Sequence, residues 1–400
     1  MSRRPESRYT TGMPNPRVLG GGEDAFRAIL ARIESATRRI EMHAFLWHDD
    51  DTGNQLGRAV LRAADRGVKV HIRKDRVAAV YEHSGGNGQS FFHKRIRPAE
   101  RFQAWVLGAA YRRPADQRRP SRALRRRQQR RPRQRPNPLV VDLLAHPNVV
   151  IDHQRKRFDH SKLFIFDDEC LILGSMGIGD EHRNEWLDIM IELEGAEHVL
   201  RLRQRMAGTV EFDRSRGIDF LVHNRAAHAR KTCPMLAQRL ALIDSARESL
   251  VVKMAYLGDP RFTDAMARAV DRGVRVTLLT GENPNVLQQL NRRTCAELLR
   301  RTGAPDHLKV VLHPRMVHSK LVVIDDRYCD VGSANFTRLS HGVYDEVNLY
   351  VDDPRFAAEL RDHALAHCED GQVVQGMVSY RKFASQIERA TVAFQARHGA

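Results

Sequence analysis

Cysteine is scarce in this chain: five in 400 residues, at positions 170, 233, 295, 329 and 368. The number is odd and no Cys-x-x-Cys pair occurs, so neither a disulfide framework nor a zinc site is expected. Cys170, Cys233, Cys295, Cys329 and Cys368 read as reduced, mostly buried small residues. Long apolar runs are missing too. No stretch approaches the ~18 uninterrupted apolar residues that a bilayer-crossing helix needs. The N-terminal residues Arg3, Arg4, Pro5, Glu6 and Arg8 lack the apolar stretch of a secretory signal, which points to a cytoplasmic protein. The length exceeds one ordinary domain, so two are expected, with ample chain for a buried core.

Charge is plentiful but unevenly placed. The net charge of +17 suggests nucleic acid or an anionic membrane as a partner. Residues 112 to 135, however, hold twelve arginines against one aspartate and supply +11 of it, leaving +6 for the rest of the chain. This Arg, Pro and Gln block has almost no apolar periodicity and is expected to form a mobile loop. It either grips lipid headgroups, grips nucleic acid, or has no function.

The chain repeats itself. Ile33-Glu34-Ser35-Ala36 is echoed by Ile243-Asp244-Ser245-Ala246, and Asp65-Arg66-Gly67-Val68-Lys69-Val70 by Asp271-Arg272-Gly273-Val274-Arg275-Val276. In both halves a helical pattern leads into an apolar strand (40–47 and 250–257), then a second helix and another strand (68–72 and 274–279). This alternation indicates an α/β fold with parallel crossovers, built as two similar halves, 1–230 and 231–400. From Asp65 to His160 is 95 positions and from Asp271 to His318 only 47, so the first half carries a 48-residue insertion, at about 85–138.

The repeat also duplicates a chemical motif. His160-Ser161-Lys162-Leu163-Phe164-Ile165-Phe166-Asp167 matches His318-Ser319-Lys320-Leu321-Val322-Val323-Ile324-Asp325, and each His lies 14 positions before a Gly-Ser, at Gly174 and Gly332. Imidazole is a competent nucleophile at phosphorus and a competent proton carrier near neutral pH. Lys162 and Lys320, two residues on along a strand, share a face with their His. Their ammonium groups would neutralise non-bridging phosphate oxygens. Asp167 and Asp325 lie an odd number of positions after the Lys and are expected to face away, as structural or second-layer groups. The hydroxyls of Ser175 and Ser333, with Asn335, are candidate phosphate donors. The run Asp49-Asp50-Asp51 reads as a loop in which Asp51 or Thr52 caps the next helix rather than as a metal cluster.

With these residues in hand, the pattern resembles the phospholipase D superfamily, whose His-x-Lys-x-x-x-x-Asp and Gly-Ser-x-Asn signatures occur once per half. The resemblance implies two phospholipase D-like α/β/α halves with one active site at their interface, and a covalent phosphohistidine. It also implies no metal or other cofactor. It places His160, Lys162, Asp167, His318, Lys320 and Asp325 in the catalytic set, with His160 as nucleophile and His318 as acid and base. The second copy is complete, with Glu346 positioned to orient an imidazole through Nδ1. The first has Gly177 where Asn is expected, so one phosphate donor is missing or supplied elsewhere. Glu185 is the expected carboxylate of that half, with Asp188 as its rival.

Two further stretches resemble bacterial cardiolipin synthases: Phe45-Leu46-Trp47-His48-Asp49-Asp50-Asp51-Thr52-Gly53, and Gly332 to Phe336 continuing through Ser340 to Asp345-Glu346-Val347-Asn348-Leu349. They imply a phosphatidyltransferase acting on phospholipid at the inner face of the cell membrane, as a peripheral protein. A hydrolase or nuclease of the same superfamily, with nucleic acid as partner, is the alternative, and a non-catalytic binding protein of this fold is a third reading. Near the C-terminus Val374, Met377, Val378, Phe383, Ile387 and Phe394 recur near helical spacing. A helix packed on its domain is expected there, with a membrane-surface helix as the alternative. The sequence leaves the oligomeric state open.

Overall fold

The computed structural model describes residues 16–84, 90–110, 136–224, 233–374, 376 and 378–398. Its strands form two mixed sheets. The first runs β1 (Arg17–Gly20), β7 (Met190–Glu194), β6 (Cys170–Gly174), β5 (Leu163–Phe166), β2 (Arg39–Ala44), β3 (Lys69–Lys74), β4 (Val149–Asp152). The second, read from the matching edge, runs β8 (Ile218–His223), β14 (Glu346–Asp352), β13 (Tyr328–Gly332), β12 (Lys320–Ile324), β9 (Ser249–Met254), β10 (Arg275–Gly281), β11 (Leu308–His313). It adds one strand, β15 (Gln372–Val374), beyond β11. The β2-β3-β4 and β9-β10-β11 triplets are parallel, as the helix–strand alternation requires, and the remaining pairs are antiparallel.

The duplication is therefore complete strand for strand, and it moves one boundary. β8 precedes position 230 in sequence yet pairs with β14 in the second sheet, as β1 pairs with β7 in the first. By sheet membership the second repeat begins at Ile218.

The strands read as unbroken apolar runs because both of their faces are buried. Along β5, Phe164 and Phe166 enter the first half's own core, whereas Leu163 and Ile165 enter a core shared by both halves. Along β12, Val322 and Ile324 face inward to the second half, and Leu321 and Val323 enter the same shared core. The two sheets thus stack face to face through every second residue of their central strands.

Asp167 and Asp325 close this arrangement at the far strand ends. Asp167 accepts hydrogen bonds from the backbone N–H groups of Thr37, Arg38 and Arg39 at 2.8 to 2.9 Å. Asp325 does the same for Arg247, Glu248 and Ser249 at 2.8 to 3.0 Å. A strand rises about 3.3 Å per residue, so each carboxylate lies roughly 16 Å along the chain from its Lys. Their place in the catalytic set is corrected accordingly: they anchor the loop entering β2 or β9. Asp325→Ala should cost about 1–3 kcal/mol in a urea melt through three stranded donors, with kcat unchanged.

Part of the insertion is ordered. Ile96, Ala104 and Leu107, the last two on the helix Pro98–Ala110, pack on Ala79 and Val80 of the helix Ala78–Ser84. Phe91 stacks on Trp47 with ring centroids 5.2 Å apart. The arginine block 112–135 lies outside the described residues. The cap of the helix Asp51–Asp65 is Asp50, one residue before the expected pair, accepting from the Gly53 N–H at 2.9 Å. At the C-terminus Val374 belongs to β15, and Met377 falls outside the described residues. The helix Lys382–His398 packs through Ser385 and Val392, leaving Phe383, Ile387 and Phe394 exposed.

Candidate active site

The two His-x-Lys segments meet at the seam between the halves because each is tied to the other half's backbone. The His160 N–H donates to Asp345 O at 2.8 Å, and Asp345 N–H returns to Phe158 O at 2.8 Å. On the other side the His318 and Ser319 N–H groups donate to Leu187 O at 2.9 and 2.8 Å, and Leu187 N–H returns to Met316 O. These bridges lead directly into the carboxylates. His160 Nδ1 lies 3.1 Å from both oxygens of Glu346, and His318 Nδ1 lies 2.7 Å from Asp188 Oδ1. Each imidazole is thus oriented from the opposite half.

Glu185, expected in that role, does not fill it. Its backbone carbonyl accepts from the Arg315 guanidinium, and Asp188, three residues on, reaches the imidazole. Asp188 lies 14 positions after Gly174 and Glu346 lies 14 after Gly332, so the two carboxylates occupy the same position on equivalent strand entries. Ser175 and Ser333 are also reassigned. Both are fully buried beneath the carboxylates. Ser175 Oγ donates to Asp188 Oδ1 at 2.6 Å and accepts from Ile189 N–H, while Ser333 accepts from Val347 N–H and hydrogen-bonds Glu346. They fix the groups that orient the imidazoles. Asn335, by contrast, lines the cavity.

That cavity, about 450 Å³, contains His160, Lys162, His318 and Asn335 in its wall. Aromatic rings that no motif marks frame it. Tyr344 stacks on His160 at 5.2 Å and Trp186 lies against His318 at 5.2 Å, each two residues before a carboxylate. Phe45 meets His160 edge-on at 4.9 Å, and Tyr256 stands 6.2 Å from His318.

Burial dominates the electrostatics. It lowers His160 to about 4, with help from the Lys162 cation, and lowers Lys162 to about 8. Burial holds His318 and Lys320 well below their ordinary ranges, with the neighbouring cation adding to the effect for each. Burial would raise Asp188 and Glu346, but the imidazoles beside them win and hold both carboxyls low. Both imidazoles are then neutral at pH 7, with Nδ1–H donated to a carboxylate and the lone pair on Nε2. Lys320 Nζ sits 3.1 Å from His318 Nε2.

Among the described residues, His182, Asp188 and His318 form the one group of ligand atoms close enough to hold a metal ion, all within 4.8 Å. Their Nδ1 atoms and carboxylate oxygens are already joined by hydrogen bonds, so an ion would enter only by breaking these.

The buried imidazoles also set acid stability. His93, His160 and His367 sit near 4 and His363 near 3, against ~6.5 for a free imidazole. Below ~6.5 the unfolded chain takes up protons that the folded chain refuses, so stability falls from there down to about pH 4. His43 acts oppositely: against burial, Asp159 and Glu41 raise it to about 9, so its contribution is lost as pH climbs through that value. Melting temperatures across pH 4 to 7 should therefore decline steadily toward acid.

A stacked pair of duplicated sheets with paired His-x-Lys segments at the seam defines a phospholipase D-like protein. The sequence carries the assignment further. The chain belongs to the family described as cardiolipin synthase, phospholipase D-like domain, whose model matches residues 29–209 and 240–367. Cardiolipin synthase B of Escherichia coli (strain K12) is 23% identical over 373 residues, covering 87% of this chain and 78% of its own length. Cardiolipin synthase A of Pseudomonas entomophila (strain L48) is 23% identical over 376 residues, covering 86% and 66%. Among solved structures, a phosphatidylserine synthase from Haemophilus influenzae Rd KW20 shares the fold at a TM-score of 0.62. That match is 15% identical and covers 96% of this chain and 93% of the other.

Proposed function

We propose that the protein is a phosphatidyltransferase of cardiolipin synthase type, moving a phosphatidyl group from one phospholipid to the hydroxyl of another lipid or alcohol. The crossed His–carboxylate pairs in one cavity carry this reading. His160 Nε2 attacks phosphorus as the P–O bond to the departing alcohol breaks, and His318 gives that oxygen its proton. His318 then takes the proton of the incoming hydroxyl, whose oxygen displaces His160 and regenerates the free imidazole. Lys162 and Lys320 balance charge on the non-bridging oxygens. Burial and then the Lys320 cation depress His318, and an anionic phosphodiester bound beside Lys320 offsets the second of these, which favours the protonated, acid form. His160 is favoured as nucleophile because its Nε2 makes no hydrogen bond among the described residues, whereas His318 Nε2 is engaged by Lys320.

The cavity wall favours lipid over nucleic acid. Apolar side chains such as Phe45, Leu46, Val286, Leu287 and Leu339 share it with polar ones, and among the described residues no arginine lines it, whereas nucleic-acid grooves follow the backbone with many cations. No helix among the described residues is long and apolar enough to cross a membrane. Peripheral docking is supported by Phe102 and Trp105 on one helix and Phe383 and Ile387 on another, all exposed. Those helices also contribute Gly108 and Gln395 to the cavity wall. Such a surface suits the inner face of the cell membrane.

The test is a lipid profile of cells expressing the wild type, His160→Ala or His318→Ala, repeated with purified protein on phosphatidylglycerol vesicles. New cardiolipin that disappears in both variants is expected. A product built on serine or another small alcohol would keep the transfer chemistry and replace the acceptor. DNA cleavage without any lipid product would sink the lipid assignment.

A further inference from the structure

The two halves differ at one place where chemistry is concentrated. In the second half the Asn335 N–H donates to Ser340 Oγ at 3.0 Å, and the Asn335 side chain lines the cavity. Counted from Gly332 and Gly174, Asn335 corresponds to Gly177 and Ser340 to His182. The positions correspond as well: the Gly177 N–H lies 3.2 Å from His182 Nδ1, although that nitrogen, protonated toward Asp188, does not accept from it as Ser340 Oγ does. One position has lost its side chain and its partner has gained a larger one. The imidazole takes the vacated volume: a Cβ added to Gly177 would stand 2.6 Å from His182 Nε2 and 3.0 Å from Cδ2. A side chain at 177 and the ring at 182 exclude each other.

The incoming ring is wired into the site. His182 Nδ1 lies 2.8 Å from Asp188 Oδ2, while Oδ1 of the same carboxylate holds His318. The ring stands edge-on to His318 with centroids 4.9 Å apart and packs 4.4 Å from Trp186. It is buried, and its Nε2 has no hydrogen-bond partner among the described residues. The other half needs no such ring. Glu346 meets His160 with both oxygens at 3.1 Å, whereas the shorter Asp188 meets His318 with only one. Its second oxygen is steadied by His182.

We propose that His182 is a positioning residue, its ring occupying the space that a first-half asparagine would need. It pins Asp188, so that His318 is kept in the tautomer and orientation that proton transfer requires. The inference rests on the phosphohistidine reading above.

The test uses the full chain, wild type and H160A, with H182S, H182N, G177N and the double variant G177N/H182S. The substrate is bis(p-nitrophenyl) phosphate or phosphatidylglycerol vesicles, with kcat and KM measured separately and melting followed for each variant. Loss of an outer hydrogen-bond partner typically costs about 10–100-fold, so H182S should lower kcat by that order with KM little changed. G177N should also lose activity, because its amide meets the ring. The double variant removes the clash but leaves Asp188 without the ring, so it should recover from G177N to the level of H182S, a non-additivity that independent sites do not give. H182N, which keeps an N–H donor for Asp188, should fall between H182S and wild type, and it carries the comparison if H182S fails to fold. A double variant no better than the worse single, or an H182S with wild-type kcat, would overturn the proposal. So would activity removed by a chelator and restored by zinc, which would make His182, Asp188 and His318 metal ligands. Equal turnover by wild type and H160A would instead count against the phosphohistidine reading itself.

Discussion

His160→Ala is expected to remove turnover almost entirely, by roughly 10⁵-fold or more, the scale seen when a covalent nucleophile is deleted. The fold should survive, since the side chain faces a cavity and its backbone N–H keeps the bond to Asp345 O. His318→Ala should be equally slow on a phospholipid, whose alkoxide leaves only with a proton. On a nitrophenyl ester the two variants should part. That leaving group departs without an acid, so His318→Ala should still release one equivalent and accumulate acid-labile phosphoprotein, while His160→Ala forms none. Phosphoprotein in His160→Ala and none in His318→Ala would exchange the two roles.

The second large effect belongs to Asp188. Asp188→Asn replaces a carboxylate that accepts from His318, His182 and Ser175 with an amide that offers one oxygen and two donors. His318 then loses the acceptor that fixes its tautomer. Where a buried carboxylate behind a catalytic imidazole is changed to its amide, kcat falls by about 10⁴ with the geometry otherwise intact, and that scale is expected here. Glu185→Gln should leave kcat unaltered. Equal losses in the two variants would contradict the assignment of the orienting carboxylate to Asp188.

The contrast between Glu185 and Asp188 shows what the sequence could and could not yield. The α/β class, the duplication and the His-x-Lys pairs were legible because they depend on local period and exact spacing, which a repeat displays twice. The position of Asp188 was legible as well, at 14 residues from Gly174 as Glu346 is from Gly332, a spacing that singles it out over its rival Glu185. The crossing of carboxylates between halves was not legible, because it arises from how two sheets stack. Nor was the burial of Ser175 and Ser333, whose hydroxyls look the same in sequence whether they meet a phosphate or a carboxylate. β8 was assigned to the wrong half for a similar reason, since strand pairing ignores order along the chain. The helix Pro98–Ala110 was overlooked beside an arginine block that dominates the composition around it.

The crossing has a consequence for how such a chain changes over generations. Each half carries the group that sets the other half's histidine, and the two are not interchangeable: one side uses an aspartate shared between two rings, the other a glutamate gripping one. Exchanging Asp188 for glutamate, or Glu346 for aspartate, would present a carboxylate of the wrong length to the histidine it faces. The stacked sheets would still assemble through their shared apolar layer, yet the imidazoles would be set wrongly. A change in one half's carboxylate is therefore felt at the other half's histidine even where folding permits it, so the two halves work only as a matched pair.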